Sequence, residues 1–561
     1  MILDKLDDRN LEEFPVVIFG SGPAGITTAL ELEKNNIKSL IIEAGEESYS
    51  ENSQKFYEGQ THGDPINDLS ASRLRQFGGT SGHWGGWAKP MAEYNFKNWP
   101  FNFDNFPVAI FGSGPAGIAT ALELEKKNIK CLVIEAGGEN YSEASQEFYK
   151  GKVIGDPIPN LSTNRLRQFG GTSGHWGGWS SLLENYTFDL WPIKSDELKP
   201  YIKKTCEILD INNQFRKSSL NEFIAQIEFQ YSKVKFAEKY NNHIKNSKSI
   251  LLVLNTQLSY FVGGKGNTEY AVCVYDNVIK KIRAKYFILA CGGIENSRLL
   301  LWTREKNQDF IDNNLPIGKY WMNHPWIIGG AGVIDKKKLK KKLGNNFLEY
   351  EGPLHFAAKK ELIKKKKILS AGIYMSAKED MKLYKEIVKD ILCVAPEYGR
   401  KIAAKLFKKS LKCGNVFMNL EEDPNPNNKI ILDEEKDKFG IPRVKLYYKK
   451  SRHSLKAAKL VLEEFANLCR NEDLGRIAIK DSIYNLEEFD SMAANHHIGG
   501  TRMGVNKSDS VVNIDLNVHN INNLYVSGSS NFVTSGYRNP TFTIVNFAIR
   551  LAEKINERLQ I

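Results

Sequence analysis

Two stretches of the chain carry short apolar runs and a helix-like segment in the same order. The first reads PVVIF, the glycine turn GSGPAG, the segment ITTALELEKNN and the apolar run SLIIEAG. Short apolar runs bounded by glycine predict strands, and apolar residues at helical spacing predict a helix between them. The second stretch, which begins at PVAIF, repeats this order. Each stretch therefore predicts the strand, turn, helix and strand that open a βαβ unit.

The repeat extends well beyond these elements. Residues 14–101 match residues 106–193, and within them Arg73–Trp87 and Arg165–Trp179 share the sequence RLRQFGGTSGHWGGW without one difference. Solenoid repeats have periods of about 20 to 50 residues and at least three copies. Since this unit is longer and occurs twice, we interpret it as two copies of one N-terminal unit and not as a solenoid.

The turn GSGPAG has the spacing of a dinucleotide-binding motif. One glycine allows the tight turn, the next lets the backbone approach a pyrophosphate, and the last lets the helix pack on the strand. In the second copy these are Gly112, Gly114 and Gly117, and Glu135 closes the next strand, where a carboxylate can accept the ribose hydroxyls. Glu43 has the same place in the first copy. The pattern predicts dinucleotide binding; a glycine turn without a ligand is the alternative, above all for the first copy.

Later segments supply further strands and a second domain. Residues 284–301 read as an apolar strand, a glycine turn and a helix start, which fits another parallel strand of the same sheet. Residues 325–486 combine Lys-rich helices with alternating stretches such as KIILDEEKDKFGIPRVKLYY, and predict a sheet-containing domain that covers the cofactor. Near the end, NLYVSGSS predicts a short strand and TFTIVNFAIRLAEKI an amphipathic helix.

Composition narrows the class of protein. The chain has 561 residues, of which 42% are hydrophobic and 25% charged, as in ordinary globular proteins, and its formal net charge is +11. No apolar run is long enough to span a bilayer, and the N-terminus has no signal-peptide pattern, so we expect a cytoplasmic protein without an integral membrane segment. The seven cysteines lie far apart with no CxxC, which predicts reduced thiols and no metal site.

Several longer motifs occur together and in one order. They are GGTSGHWGG, ACGGIENSRLL, GKYWMNHP, EEDPNPNNKIILDEEKDKFGIPR, HHIGGTRMG and VSGSSNFVTSGYRNPTFT. From residue 104 to the end, the chain resembles the glucose-methanol-choline (GMC) family of FAD-dependent oxidoreductases, and within it the bacterial sugar dehydrogenases and pyranose oxidases. The resemblance implies that FAD is bound and that the CH–OH group of a sugar, glycoside or other alcohol is oxidised by hydride transfer to flavin N5.

The resemblance also implies an α/β fold with a Rossmann-like FAD-binding domain and a second, sheet-containing substrate or cap domain. We expect residues 1–103 to be a duplicate, accessory copy of the N-terminal unit. Residues 104–324 and 487–561 then form the FAD-binding domain, and residues 325–486 the substrate domain. Because a doubly wound sheet has one place for its first strand and one crevice for the dinucleotide, we expect the second copy to hold FAD.

The chemistry requires a proton acceptor and a polar partner for the hydroxyl group. Histidine is the side chain suited to the first task. The family's H-x-x-G-T spacing, counted back from Thr501, assigns the base to His497, and His496 takes this role if the local register differs. The family's second position, histidine or asparagine, corresponds to Asn539 in YRNPT, although Asn-Pro is also a common turn. His324 in WMNHP is interpreted as structural.

The loop GGTSGHWGG resembles the family segment that lies against the flavin ring. Thr172 or Ser173 can hydrogen-bond the ring edge, and His175, beside Trp176, has the place of the histidine that is joined covalently to flavin in pyranose oxidases. Arg167 either neutralises the pyrophosphate or is exposed. The other cofactor positions that we assign are Gly171, Ser529, Pro540 and Thr541.

Two other classes of protein remain open from the sequence. A pyridine-nucleotide flavoprotein reductase also has two GxGxxG units, but in separate and diverged domains. A flavin-binding protein without activity would keep the fold and use the extra unit as an interaction surface. The expected partners are a small alcohol or sugar and an electron acceptor that the sequence does not identify, with no nucleic acid.

Overall fold

A computed structural model describes residues 13–64, 68–83, 85–86, 106–349, 352–376, 411–485, 491–493 and 495–560. The chain divides into two compact units, Met1–Phe101 and Asn102–Ile561, here called unit 1 and unit 2. The division falls beside the boundary that we predicted between residues 103 and 104. Each unit is described by itself.

Unit 1 has the predicted order of strand, turn, helix and strand. Its two strands pair in parallel, with Val16 opposite Ser39 and Phe19 opposite Ile42. The described residues of unit 1 include only three that are buried, and all three are polar: Ser21, Ser53 and Gln54. Its strands and α-helices are β1 (Val16–Phe19), α1 (Pro23–Lys34), β2 (Ser39–Ile42) and α2 (Glu51–Gln54).

Unit 2 contains the other elements of the described chain. Its strands are β3 (Val108–Phe111), β4 (Cys131–Ile134), β5 (Gly151–Gly155), β6 (Trp179–Ser180), β7 (Lys217–Ser219), β8 (Ile224–Ile227), β9 (Gln230–Tyr231), β10 (Ile250–Val253), β11 (Thr256–Gly264), β12 (Asn267–Tyr275), β13 (Val278–Ile282), β14 (Tyr286–Leu289), β15 (Pro325–Asp335), β16 (Leu354–Ala358), β17 (Ala371–Ser376), β18 (Leu411–Leu420), β19 (Lys429–Lys436), β20 (Pro442–Tyr448), β21 (Gly475–Ile479), β22 (Ser491–Ala493) and β23 (Leu524–Val526). Its α-helices are α3 (Pro115–Glu125), α4 (Glu143–Gln146), α5 (Ile202–Leu209), α6 (Phe236–Asn246), α7 (Gly292–Lys306), α8 (Lys336–Leu343), α9 (Lys360–Lys366), α10 (Arg452–Asn471), α11 (Asp481–Asn485) and α12 (Thr541–Gln560).

A five-stranded parallel sheet forms the centre of unit 2. Its strand order is β10-β4-β3-β14-β23, and every neighbouring pair is parallel. The four residues of β3 and the four of β4 are all buried, as expected for strands covered on both faces. Helices α3 and α12 pack together on this sheet. The Rossmann-type fold predicted from the sequence is confirmed, and the strand at residues 286–289 has the predicted place.

The second domain is built on a curled antiparallel sheet. Its order is β21-β15-β18-β17-β16-β8-β7, with β22 also paired to β15. One face packs on the amphipathic helix α10 in a core of its own. Strands β7 and β8 precede residue 325, so this sheet begins earlier in the chain than the predicted range 325–486.

Unit 2 also contains smaller sheets. The predicted pair at KIILDEEKDKFGIPRVKLYY is confirmed as β19 and β20, and β5 adds to β20 in parallel. Strands β11, β12 and β13 form an antiparallel meander. The cysteines that the structure describes are free thiols. In the described ranges, no helix has the length and apolarity that a bilayer crossing requires, and no cluster of three potential metal ligands is found.

Candidate active site

A cavity of about 340 Å³ lies in unit 2 at the carboxyl ends of the central strands. This is where open parallel sheets bind dinucleotides. The cavity collects most of the residues that the sequence assigned to cofactor and catalysis. Those that line it are Gly112, Gly114, Glu135, Gly171, Thr172, Ser173, His175, Trp176, His497, Ser529, Asn539, Pro540 and Thr541.

The glycine turn between β3 and α3 is packed for a close ligand. Gly112 has φ +104°, and a Cβ there would lie 2.5 Å from the carbonyl oxygen of Ala290. Gly117 does not line the cavity, because its role is packing: a Cβ would lie 1.9 Å from the Gly112 oxygen. Gly114 has no other described atom near its Cβ position and begins α3 without a side-chain cap. The free N–H groups of this helix end therefore face the cavity, as pyrophosphate binding requires.

Glu135 is held with its carboxylate at the cavity wall. Its Oε2 accepts hydrogen bonds from the Ser113 backbone N–H (2.9 Å) and hydroxyl (2.7 Å), and its Oε1 accepts one from the Gly137 N–H (2.8 Å). Burial raises the pKa of Glu135 even though these bonds and Arg167 act to lower it. A buried carboxyl of this kind gains from a hydroxyl donor, so the site fits the ribose of a dinucleotide.

The predicted flavin loop folds as a 3-10 turn, Gly171–Gly174. A Cβ at Gly171 would lie 3.0 Å from the Gly114 Cα, so the two glycine segments touch. The Ser173 hydroxyl donates to the Gly170 carbonyl (2.7 Å) and accepts from the Phe236 N–H (3.1 Å). The Thr172 hydroxyl accepts from the Leu166 N–H (3.3 Å). Both hydroxyls lie at the cavity, but their bonds shape the loop.

His175 and Trp176 follow the turn along the cavity wall. The Trp176 indole N–H donates to the Val234 carbonyl (2.8 Å), and Lys235 Nζ donates to the Trp176 carbonyl (2.9 Å), which fixes this segment. His175 is exposed to solvent, and the neighbouring protein atoms together with Lys235 lower its pKa. A neutral imidazole therefore faces the cavity. Covalent attachment of flavin to His175 stays a prediction.

Arg167 is not among the residues that line the cavity, and it is not exposed. Its guanidinium donates to Ser145 Oγ (2.8 Å) and Gln257 Oε1 (2.9 Å) and lies 4.2 Å from the centre of the Phe148 ring. Arg165 lines the cavity instead and forms an ion pair with Glu295 at 2.7 Å. The structure therefore does not bring Arg167 to the pyrophosphate position, and no motif of the sequence pointed to Arg165.

At the other end of the cavity, Asn539 lies beside His496. The Asn539 Nδ2 is 3.4 Å from His496 Nε2, and both side chains are half-buried. His496 Nδ1 lies 2.9 Å from His324 Nδ1, and His324 Nε2 lies 3.2 Å from the Ser535 carbonyl oxygen. These contacts form one chain from Ser535 through two imidazoles to the cavity.

The chain of contacts fixes both tautomers. A carbonyl oxygen only accepts, so His324 Nε2 carries the proton and its Nδ1 is an acceptor. Asn419 Nδ2, 3.4 Å away, also points at that acceptor. His496 must then donate from Nδ1, which leaves a lone pair on Nε2, facing Asn539 and the cavity. Burial lowers the pKa of His324 to about 4 and that of His496 well below its usual value, with His324 and His497 adding to the effect on His496. Both rings are therefore neutral.

His497 has a different environment. It is buried against Trp321, with ring centroids 5.8 Å apart, and neither ring nitrogen makes a well-aligned hydrogen bond among the described residues, although an interaction with the Asn164 backbone acts to raise its pKa. Its carbonyl oxygen accepts from Ser529 Oγ at 2.6 Å. Burial, with Arg165 nearby, lowers its pKa to about 3. His497 lines the cavity, but the structure does not pair it with Asn539.

The H-x-x-G part of the motif that assigned the base to His497 also fits His496. Both histidines are followed by glycine three residues later, His496 by Gly499 and His497 by Gly500. Only His497 has Thr501 directly after that glycine, so the full H-x-x-G-T spacing favours His497, whereas the hydrogen bond to Asn539 is made by His496. The structure also gives His324, interpreted as structural, a direct contact with His496.

Comparison with known proteins identifies a family for the C-terminal part of the chain. The family model described as GMC oxidoreductase matches residues 424–548, which include His496 and Asn539. This part of the chain thus matches the GMC oxidoreductase family. FAD is the cofactor typical of that family, and the glycine turn, Glu135 and the close-packed loop fit it.

Two curated relatives are each 25% identical to this chain over the aligned residues. They are the fructose dehydrogenase large subunit of Gluconobacter japonicus, over 305 residues (52% of this chain and 51% of the relative), and 2-methyl-1,2-propanediol dehydrogenase of Mycolicibacterium austroafricanum, over 283 residues (50% and 49%). The chain thus spans about half the length of the curated relatives it matches.

Solved structures share the fold of this chain. Pyridoxine 4-oxidase from Mesorbium loti has a TM-score of 0.52 at 14% identity, covering 81% of this chain and 99% of that structure. Formate oxidase has a TM-score of 0.50 at 16% identity, covering 81% and 98%. At such low identity the likeness concerns the fold alone.

Proposed function

We propose that this protein is a GMC oxidoreductase that oxidises a CH–OH group of a small alcohol, with FAD bound in the cavity of unit 2. The observation that carries the proposal is the lone pair on His496 Nε2, directed at the cavity beside Asn539. Bound FAD would supply a hydride acceptor in the same cavity. The family match and the fit of the glycine turn and Glu135 support this cofactor.

We assign the base to His496 in place of His497. A hydroxyl group held between His496 Nε2 and the Asn539 amide could give its proton to the imidazole, while the amide orients the oxygen. His324 acts on the reaction through His496, because its bond to the Ser535 carbonyl selects the tautomer with the free lone pair. His497 lacks this arrangement.

The substrate that we favour is a sugar or glycoside. The support is the match to the fructose dehydrogenase large subunit, which is distant, and a diol dehydrogenase matches at the same identity. The substrate class therefore rests on the match and not on the geometry of the cavity. The electron acceptor is part of neither argument.

The direct test follows flavin absorbance without oxygen while sugars, glycosides and simple alcohols are added. Bleaching by one of them supports the proposal. Colour that no alcohol bleaches favours a flavin-binding protein without this activity, and bleaching by NADH alone favours a reductase.

The matched variants are His496→Ala and His497→Ala. We expect His496→Ala to retain flavin and to reduce it about a hundredfold more slowly, as expected for a lost general base. His497→Ala should have the smaller effect on the rate. The reverse order would return the base to His497.

The pH profile of flavin reduction provides an independent check. Because the pKa of His496 is held well below 6.5, the imidazole is unprotonated at neutral pH. The rate should be flat around pH 7 and fall only as the pH drops below 6.5 towards that lowered pKa. A rate that climbs steadily from pH 6 to 8 would contradict the assignment.

A further inference from the structure

The loop that carries Asn539 is held from two sides. We call residues 534–540 the catalytic loop. On one side, the substrate-domain sheet contacts it: Asn419 Nδ2 donates to the Tyr537 carbonyl, and the Glu422 N–H donates to Ser535 Oγ at 3.0 Å. On the other side lie residues 181–191, which we call the cradle. The cradle is the end of the repeated segment in unit 2.

The strongest cradle contact is a buried ion pair next to Asn539. Arg538 Nη2 lies 2.6 Å from Glu184 Oε1, with 7% and 12% of the two side chains exposed. The Tyr537 hydroxyl donates to the same oxygen (3.2 Å), and Arg538 also donates to Ser181 Oγ. Although burial acts to raise it, Arg538 and Lys217 lower the pKa of Glu184 to about 2, so Glu184 is charged.

Weaker contacts continue along the cradle. The Trp191 indole N–H donates to Thr534 Oγ1 (2.8 Å), and that hydroxyl donates to the Thr187 carbonyl (3.3 Å). Gly536, with φ +55°, packs so that a Cβ would lie 3.3 Å from Thr187 Cγ2. The cradle therefore holds the catalytic loop at several points along its length.

The two sequence copies differ where these contacts are made. Residues 165–179, which include the flavin loop, are identical to residues 73–87, whereas eight of the eleven cradle residues differ from residues 89–99. Ala92 stands in place of Glu184 and Lys89 in place of Ser181, while Tyr94 and Trp99 keep the alignment fixed. Residues 87–105 lie outside the described residues, so this comparison is of sequence. A lysine and an alanine at these two places would leave Arg538 facing a second positive charge without its carboxylate.

We propose that Glu184 is a positioning residue for Asn539: through Arg538 it holds the catalytic loop in the geometry that brings Asn539 to His496, and the first sequence copy has Ala92, and no carboxylate, at the aligned position. The inference rests on the proposed function. In this proposal the repeated segment has two roles, namely flavin binding by the flavin loop and positioning of Asn539 by the cradle. Both copies carry the flavin-loop sequence, and only the second carries the cradle.

The test replaces Glu184 by the residue of the first copy, Glu184→Ala, in the full chain. The flavin-lining residues are unchanged, so flavin content should equal that of the wild type. The limiting rate of flavin reduction should fall about a hundredfold, as expected when a reacting group is misplaced by about 1 Å. Because the defect is one of position, this rate should fall by a larger factor than the half-saturation concentration rises. Glu184→Gln, which can still accept from Tyr537 and Arg538, should recover part of the rate.

Asp189→Lys is the matched control. It also introduces the residue of the first copy, Lys97, into the cradle, but Asp189 forms an exposed pair with Lys360 and does not touch the catalytic loop. Its rate should stay within twofold of the wild type. Equal losses in Glu184→Ala and Asp189→Lys, or a normal rate in Glu184→Ala with flavin retained, would overturn the proposal.

A thermal measurement keeps this inference separate from the proposed function. Glu184→Ala should lower the melting temperature because it leaves Arg538 buried and unpaired, and Glu184→Ala combined with Arg538→Met should raise it again. A double variant no more stable than Glu184→Ala would show that the pair does not hold the loop. If no alcohol bleaches wild-type flavin, the proposed function fails, while the thermal coupling still tests the cradle.

Discussion

Units 1 and 2 begin with nearly the same sequence and the same local structure, yet among the described residues only those of unit 2 form a hydrophobic core. Phe19 of β1 is 80% exposed, whereas its equivalent Phe111 in β3 is 1% exposed. The strands pair in the same register in both units, Val16 with Ser39 and Val108 with Cys131. The sequence of the βαβ unit is therefore enough to specify its turn, helix and strand pair. Burial depends on β10, β14 and α12, which only unit 2 contains.

Glu43 and Glu135, which follow the second strand of each unit, differ in the same way in their pKa values. Glu43 accepts hydrogen bonds from Ser21 and Gly45 at 2.7–2.8 Å, as Glu135 does from their equivalents in unit 2. Burial acts to raise the pKa of both carboxyls, but it prevails only at Glu135, and the hydrogen bonds lower the pKa of Glu43. Identical bonds thus have opposite net outcomes, because the difference lies in solvent access.

We expect the largest difference between the units in how much flavin the protein retains after either copy of the repeat is deleted. Deletion of residues 1–103 should leave a folded, yellow protein, because the described core and the cavity belong to unit 2. Deletion of residues 104–193 should give no flavin-containing protein, since β14 would lose its partner β3. The measurement is the flavin absorbance per chain after purification.

A colourless product from the first deletion would show that unit 1 is required for assembly. Yellow protein from the second deletion would show that the first copy can take the place of the second in the sheet. Either result would end the assignment of the cofactor to the second copy.

A glycine pair isolates the effect of the neighbouring strand. Gly20 and Gly112 have φ of +98° and +104°, but a Cβ meets no described atom within 4 Å at Gly20 and lies 2.5 Å from the Ala290 oxygen at Gly112. Alanine should cost roughly 1–2 kcal/mol of backbone strain at either position. Only Gly112→Ala adds a clash with backbone, so we expect it to lose flavin and Gly20→Ala to keep it.

Gly25→Ala and Gly117→Ala form the control pair for this experiment. Here a Cβ would clash inside each unit, at 2.0 and 1.9 Å from the oxygen of Gly20 or Gly112. Each variant should therefore disrupt its own unit, as followed by hydrogen exchange of the helix that it begins. Equal losses of flavin in Gly20→Ala and Gly112→Ala would show that a side chain at Gly20 is excluded as strictly as one at Gly112.

The fold was predictable because its elements are local and strongly patterned. The strands at residues 108–111, 286–289 and 524–526 and the helix at 541–560 follow from short apolar runs, glycine turns and helical spacing. The extent of the second domain was not, since β7 and β8 join its sheet by pairing with strands far along the chain. Long-range pairing leaves little trace in a local pattern.

The sequence predicted most of the residues that line the site, but not which of their side chains contact one another. Spacing brought most of the cavity-lining glycines and hydroxyls together, and it assigned the base to His497, whereas the side chain that contacts Asn539 is His496. The choice between them depends on His324 and on the Ser535 carbonyl, which approach from different parts of the chain. The burial of Arg167 and the ion pair of Glu184 with Arg538 are equally non-local, and one sequence carries no sign of them.

The two acids should differ in their effect on FAD affinity. Glu135→Ala removes an acceptor at the cavity wall, and a hydrogen bond to a charged group contributes about 1.5–3 kcal/mol. We therefore expect FAD to bind about 10- to 150-fold more weakly, measured by titrating flavin-free protein and following flavin fluorescence. Glu43→Ala is the matched control and should leave the affinity unchanged. A comparable loss in Glu43→Ala would place a second nucleotide contact in unit 1.

The smallest expected effect concerns the pH dependence of stability. It is the most specific, because the pKa shifts of Glu135 and Glu43 have opposite signs. Relative to a glutamine variant, a carboxyl with a raised pKa loses stabilising effect as the pH rises above 4.5, by at most about 1.4 kcal/mol per pH unit. A carboxyl with a lowered pKa keeps its full contribution above 4.5 and loses it as the pH falls. In flavin-free protein, the advantage of wild type over Glu135→Gln should therefore shrink from pH 5 upwards until the raised pKa is passed. The advantage of wild type over Glu43→Gln should stay constant over that range. Hydrogen exchange of peptides covering residues 108–134 and 16–42 measures the two separately, and parallel slopes would show that solvent access does not distinguish the copies.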